Sequence, residues 1–361
     1  MKKTFSRSQL KTLARQVNSK PIGVDDLEDF CAQNINLKKE ELHQLIWNKF
    51  GMFAECSYPK TMTFFTTKGG VLKTTVAYNF ARIAALSGVK TLVIGLDMQC
   101  DMTNCLSGVE ENTDQSLISA LELLESKKGL FQYFNNQASL EEIICSTDLK
   151  CLNFIPEAPD LTLLNDSISL INRREFWLND KVVRPLASQY DLIIFDCSPN
   201  WNRLTTNALC ATDLLVSPVE CKINNFKNIE VFNELIKQAK EDLFLQFKTA
   251  FVPTRFSKNK KLSCEILQWY QENLPGCMKS SIRESIESEE AIALQSSVVE
   301  YRPMSKVASD ILNVTGELTS LIRSSDEVSF NNTQIGHFNH VHLERDQLLN
   351  NPAGEAHGTF S

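Results

Sequence analysis

One stretch constrains this chain more than any other: Thr66-Thr67-Lys68-Gly69-Gly70-Val71-Leu72-Lys73-Thr74-Thr75. A strand pattern over 62–66 leads into it, and a helix pattern over 74–87 leads out. The first N–H groups of a helix have no intrahelical acceptor and carry partial positive charge. A helix that opens on a glycine-rich turn therefore binds anions. Gly69 and Gly70 let the backbone curl around a phosphate without a Cβ in the way. Lys73 is then placed to reach β- and γ-phosphates, and the Thr74 hydroxyl to ligate Mg²⁺. One residue breaks the pattern. The position before the second lysine ordinarily holds glycine and here holds Leu72, whose side chain is expected to crowd the β-phosphate or tilt the loop.

The central region repeats the strand–helix alternation. Strand patterns fall at 90–95, 152–156, 192–196, 214–218 and 249–252, and helix patterns at 115–124, 227–239, 262–272 and 304–322. This alternation predicts an α/β fold, with a mostly parallel sheet covered by helices on both faces. Three regions follow: a small helical N-terminal region over 1–58, the α/β domain over 59–323, and a disordered tail over 324–361. The first twenty residues carry six basic side chains and no acid, and Leu10, Leu13, Ala14 and Val17 recur there at helical spacing. Further short helices are expected over 25–33 and 38–49. The tail holds His337, His340, His342 and His357, but no cysteine or structured partner stands near them, so it reads as a mobile segment and not a metal site.

Composition narrows the class. With 43% hydrophobic and 22% charged residues, a disordered chain, a collagen and a coiled-coil rod are excluded. The formal net charge is −7, so any nucleic-acid contact must come from a local basic patch. The eleven cysteines are odd in number and none are spaced as CxxC, which fits reduced side chains acting as small hydrophobes. No apolar run approaches the roughly 18 residues of a membrane-spanning helix. No apolar segment follows Lys2 and Lys3 as in a secretory signal, so a cytoplasmic protein is expected.

The Lys-Gly-Gly-x-x-Lys-Thr-Thr run resembles the deviant Walker A motif of the ParA/MinD family of ATPases. The resemblance implies a P-loop NTPase fold, ATP held by Lys68, Gly69, Gly70, Val71, Leu72, Lys73, Thr74 and Thr75, and a nucleotide-sandwich homodimer on ATP binding. It implies that Lys68 reaches across that dimer to the partner's phosphates, a cation where charge develops on the transferring phosphoryl group. Two more segments match in order. Val93-Ile94-Gly95-Leu96-Asp97-Met98-Gln99 resembles the family's Asp-x-Asp-Pro-Gln motif, with Gly95 at the first aspartate and Met98 at the proline. Asp97 falls on the second aspartate, which the resemblance assigns to orienting the attacking water. The segment from Tyr190 to Pro199 resembles the Walker B strand, in which Asp196 would hold a Mg²⁺-bound water. The likeness covers roughly residues 60–323.

MinD-like members end in a basic amphipathic membrane helix, and this chain ends in a polar Asn/His-rich segment, so no membrane partner is expected. ParA-like members bind DNA nonspecifically through basic residues late in the fold. Arg255, Lys258, Lys260 and Lys261 form a basic run, and Arg283 and Lys306 fall where ParA-like proteins carry arginines. Phosphate contacts of this kind are independent of sequence and strongly salt-dependent. The resemblance implies that the family's Pro-Arg loop lines the adenine pocket; Ile282 replaces its proline here, so contacts to the adenine base are not assigned from that position. The ParA-like branch implies a weak, nucleoid-associated ATPase that positions a plasmid, chromosome region or other cargo. A partition-type partner protein stimulates its hydrolysis. Leu72 and Gly95 leave open a hydrolysis-poor DNA-bound regulator that uses the N-terminal helices. Cys100 and Cys105 leave open a metal-insertion or electron-transfer ATPase.

Overall fold

The computed structural model describes residues 5–16, 24–34, 36–37, 42, 45–47, 60–107, 128–223 and 226–323. The helix expected over 115–124 and the tail over 324–361 lie outside the described residues, as does most of the helix expected over 38–49.

Seven strands form one sheet: β1 (Lys60–Phe64), β2 (Thr91–Leu96), β3 (Cys145–Ser146), β4 (Leu152–Ile155), β5 (Leu192–Cys197), β6 (Leu214–Glu220) and β7 (Lys248–Thr254). Their order is β3-β4-β2-β5-β1-β6-β7. Among the described strands only the β3–β4 pair is antiparallel. Every residue of β1, β2, β5 and β6 is buried, as parallel strands covered on both faces require. Alternate residues feed two cores. Met62, Phe64, Val93, Leu192, Ile194, Val216 and Val252 point to one face. Leu92, Ile94, Ile193, Phe195, Leu215 and Phe251 point to the other.

Among the described residues, the α-helices of four residues or more are α1 (Arg7–Gln16), α2 (Val24–Gln33), α3 (Lys73–Leu86), α4 (Asp101–Leu106), α5 (Leu130–Phe134), α6 (Leu161–Ser167), α7 (Arg203–Cys210), α8 (Phe226–Leu243), α9 (Lys261–Asn273), α10 (Ile286–Ala293), α11 (Val298–Tyr301) and α12 (Lys306–Arg323). The strand expected over 62–66 lies two residues earlier, because Phe65 and Thr66 already turn into the loop. The helix expected from 304 begins at Lys306, where the Ser305 hydroxyl accepts the Ala308 N–H at 3.1 Å. Ser297 and Glu300 form a capping box that starts α11.

Helix α3 is rich in alanine and buried almost all round, so it is a core helix and not an amphipathic one. It stops at Ser87–Gly88, where Gly88 takes φ 84° and its N–H bonds the Ala85 carbonyl. On the same face of the sheet, Leu10 and Leu13 of α1 and Leu27 of α2 join the core that α3 and α12 build. Arg7 of α1 pairs with Asp25 at 2.8 Å and Glu28 at 3.5 Å, which ties the first two helices together.

Arg82 lies on α3 with only 2% of its surface exposed. It grips Asp148 through both terminal nitrogens (2.9 and 2.8 Å) and Glu300 through Nε and Nη2 (2.8 and 3.0 Å). Burial alone would favour the neutral guanidine, but the Glu300 and Asp148 hydrogen bonds hold it charged. Asp148 is largely exposed and contributes little; Glu300 is the costly partner to leave alone. Arg82→Ala is expected to lower unfolding stability by about 3 kcal/mol, read from the urea midpoint.

Candidate functional site

Parallel register decides where the chemistry-bearing residues meet. Asp196, near the end of β5, lies abreast of Phe64 on β1 and Gly95 on β2. The loop after β1 and the loop after β2 therefore leave the sheet on either side of one carboxylate. This is the carboxyl-terminal edge of the sheet, where open α/β folds bind ligands.

Asp196 has no exposed surface. Its Oδ1 accepts Lys73 Nζ at 2.6 Å, and its Oδ2 accepts the Thr74 hydroxyl at 2.8 Å. A buried carboxylate is tolerable only with partners of this kind. Burial acts to lower the Lys73 pKa, but the charge and hydrogen bond of Asp196 outweigh it and the net direction is upward. Lys73 is thus a fixed cation at the start of α3.

The loop that delivers it has an open outer side. A Cβ at Gly69 or Gly70 would meet nothing within 4 Å, and Gly70 takes φ 72°. No side chain caps α3, and Val76 is the first helical residue whose N–H bonds back, to the Leu72 carbonyl. The N–H groups ahead of it have no acceptor within the helix. Thr254, at the end of β7, pins the loop from behind by donating its hydroxyl to the Val71 carbonyl at 3.1 Å. These features fit a bound phosphate chain. Leu72 adopts φ 69°, the left-handed conformation glycine favours, at a cost of about 1 kcal/mol. Its side chain is half-buried against the core. The loop accommodates the leucine through the backbone.

Lys68 turns to a different acid. Its Nζ lies 2.5 Å from Glu220 Oε2, at the end of β6. Glu220 Oε1 also faces Arg255 Nε at 3.3 Å and Lys222 Nζ at 3.4 Å. Burial would raise the Glu220 pKa, but Lys68 and Lys222 pull it below the usual carboxylate range.

Asp97 is buried, and its Oδ1 accepts the Gln99 N–H at 3.1 Å. Behind it sits Glu157, 1% exposed. Burial first, and then the Asp196 charge, push Glu157 up to about 8, against the pull of the Thr103 N–H and Lys73. Burial also pushes the Cys100 thiol up to about 11 and Cys105 up to about 12, so both stay protonated at neutral pH.

The six basic residues singled out in the sequence separate into two kinds. Lys258, Lys260, Lys261 and Lys306 are exposed, the first three on or beside the turn that opens α9. Lys261 faces Glu265 at 3.6 Å. Arg255 is drawn in between Glu220 and Glu284, and Arg283 holds Asp310 through Nε at 2.5 Å and Nη2 at 2.7 Å. Glu157 and Glu220 were not foreseen. Gly95 was the available signal for Glu157, since a strand glycine often marks a close approach.

An AAA-domain family profile matches residues 59–249. The chromosome partitioning protein ParA of Myxococcus xanthus is 30% identical over 222 residues, covering 61% of this chain and 71% of that one. The chain belongs to the ParA/MinD family of deviant Walker A ATPases. Within the family, a virulence plasmid ParA family protein of Chlamydia muridarum is 27% identical and matches across 75% of this chain and 96% of its own length. In fold, apo McdA from Cyanothece superposes with a TM-score of 0.61 at 19% identity, covering 72% of this chain and 99% of that one. A putative plasmid partition protein of Borrelia burgdorferi, bound to AMPPNP, gives 0.59 at 20% identity, covering 73% and 99%. The P-loop NTPase fold and the ParA-like motifs therefore occur together in one chain. No described helix is long and apolar enough to cross a membrane.

Proposed function

We propose that this chain is a ParA-type partition ATPase, whose ATP-bound homodimer binds DNA nonspecifically and whose hydrolysis a partner protein stimulates. The cargo is a plasmid, a chromosome region or another large assembly. The setting is the cytoplasm, on the nucleoid. One observation carries the reading: Lys73, Thr74 and Asp196 converge beneath an uncapped helix N-terminus at the edge of a parallel sheet.

In this reading the N–H groups of 69–75 and Lys73 hold the β- and γ-phosphates. Thr74 and Asp196 would hold Mg²⁺, which would offset charge on the phosphate oxygens. Lys73 currently occupies the Asp196 carboxylate, so its ammonium must turn from Asp196 toward phosphate as nucleotide enters. Lys68 does the corresponding work in trans. It leaves Glu220 to reach the partner's nucleotide, which makes Glu220 the holder of that lysine in the single chain. Asp97 aligns the attacking water, with its carboxylate set by the Gln99 N–H.

The exposed lysines, Lys258, Lys260, Lys261 and Lys306, supply the DNA-facing charge. Arg255 and Arg283 belong to the same surface, but they start from ion pairs and must exchange a carboxylate for a phosphate. The test is binding to a random duplex with ATP over a salt series. Replacing Lys258, Lys260 and Lys261 together by alanine should flatten the slope of log K against log salt by about 2–3, while ATP binding stays intact. An unchanged slope would place the DNA surface elsewhere.

A further inference from the structure

In the family motif the first of two aspartates belongs at the position of Gly95. The neighbouring strand explains how this chain does without it. β2 and β4 run parallel with Ile94 abreast of Ile155, so Pro156 and Glu157 pass beside Gly95 as both strands end. A Cβ built on Gly95 would lie 2.1 Å from Glu157 Cγ, 2.4 Å from Cδ and 2.6 Å from Oε1. The Glu157 side chain fills the volume that any side chain at 95 would enter. Glycine at 95 and glutamate at 157 are therefore one arrangement.

The carboxyl group also grips the segment that carries Asp97. Glu157 Oε1 accepts the Asp97 N–H at 3.3 Å, and Oε2 accepts the Thr103 N–H at 3.0 Å. Its own N–H donates to the Thr103 hydroxyl at 2.7 Å. Both ends of the segment 97–103 are thereby tied to one buried side chain. Between them the chain makes a sharp turn, with Cys100 at φ 60° and no side-chain cap on α4. Glu157, two residues beyond the end of β4, serves as that cap, since Thr103 is the third residue of the helix.

We propose that Glu157 takes the place of the motif's first aspartate, delivered from the turn after β4 and not from β2, and is the positioning residue for Asp97. Asp97 owes its place to a backbone held at its N–H and at the start of the following helix. Without Glu157 those two N–H groups lose their acceptor in a buried setting, and the segment loses its fixed geometry.

The kinetic arm of the test rests on the ATPase reading; the stability arm does not. In the full chain, Glu157→Ala should lower kcat for ATP hydrolysis roughly 10- to 100-fold with KM nearly unchanged, because the phosphate loop is untouched. Gly95→Asp alone drives a side chain into Glu157 and should lower Tm. The double variant, Gly95→Asp with Glu157→Ala, returns a carboxylate from β2. It should melt well above the sum of the two single losses and recover most of kcat. Glu157→Gln keeps the volume and one acceptor oxygen, and gives the kinetic reading if Glu157→Ala does not fold. Additive melting losses, or a wild-type kcat in folded Glu157→Ala, would overturn the proposal. A wild-type chain that hydrolyses no ATP would overturn the ATPase reading and the kinetic role with it. The melting cycle would still decide whether one carboxylate stands for the other.

Discussion

Lys73→Ala should remove ATP binding and destabilise the fold at once. Both effects come from the same ion pair, 2.6 Å long, between a lysine 8% exposed and an aspartate with no exposure. Removing the ammonium leaves Asp196 buried with the Thr74 hydroxyl as its remaining side-chain donor. Breaking a buried pair from one side costs about 3–5 kcal/mol. Truncating a lysine that meets phosphate costs a further 2–5 kcal/mol of binding, roughly 30- to 5,000-fold in Kd. Urea unfolding and nucleotide titration measure the two separately. The pH dependence has a definite sign. The Lys73 pKa is raised in the folded chain, so its contribution to stability is complete below the ordinary lysine value of about 10.4. It is lost only as pH climbs through the higher folded value. A variant that binds ATP normally would show that Lys73 is a structural partner of Asp196 and no more.

Asp97→Ala should do the opposite to nucleotide. Binding survives, because the phosphate loop and Asp196 are intact, while kcat falls roughly 10²–10⁴-fold, as for loss of a group that handles the attacking water's proton. The ATP state should then accumulate, and DNA binding should persist after wild-type protein has released. Among the described residues the Asp97 side chain accepts the Gln99 N–H alone, so the loss of stability should be small, about 1 kcal/mol. Single-turnover hydrolysis with a parallel ATP-binding assay checks this. A weakened Kd with kcat unchanged would place Asp97 in ground-state binding.

Much of this was legible in the residues themselves. The strand–loop–helix unit from β1 to α3 follows from apolar alternation, two glycines and a lysine–threonine pair, and the structure moves its boundaries by only a residue or two. The strand at Leu192–Cys197 announces itself by an apolar run ending in an aspartate. Helices α10 and α11 are short and lack a sustained apolar period, and their local signal is a serine cap, Ser285 and Ser297. The tertiary pairings were not legible. Nothing near Lys68 in sequence names Glu220, 152 positions away, and nothing near Gly95 names Glu157. Those contacts are set by strand order, since β5 inserts between β1 and β2 and β4 flanks β2. The same applies to Arg255 and Arg283. Their basic character reads as a surface for phosphate, yet each is held by acids from other elements, Glu220 and Glu284 for one and Asp310 for the other. Leu72 is the instructive departure. A leucine where glycine is usual is accommodated with its side chain half-buried against the core and its backbone in the left-handed turn.

The central claim is that ATP joins two chains across Lys68 and Lys73. The direct test is sedimentation of the purified chain with ATP and Mg²⁺, with ADP, and without nucleotide, alongside Lys68→Ala. The account predicts a dimer with ATP only, and a Lys68→Ala variant that binds ATP but stays monomeric. A monomer under all conditions, or a dimer that forms equally without nucleotide, would contradict it.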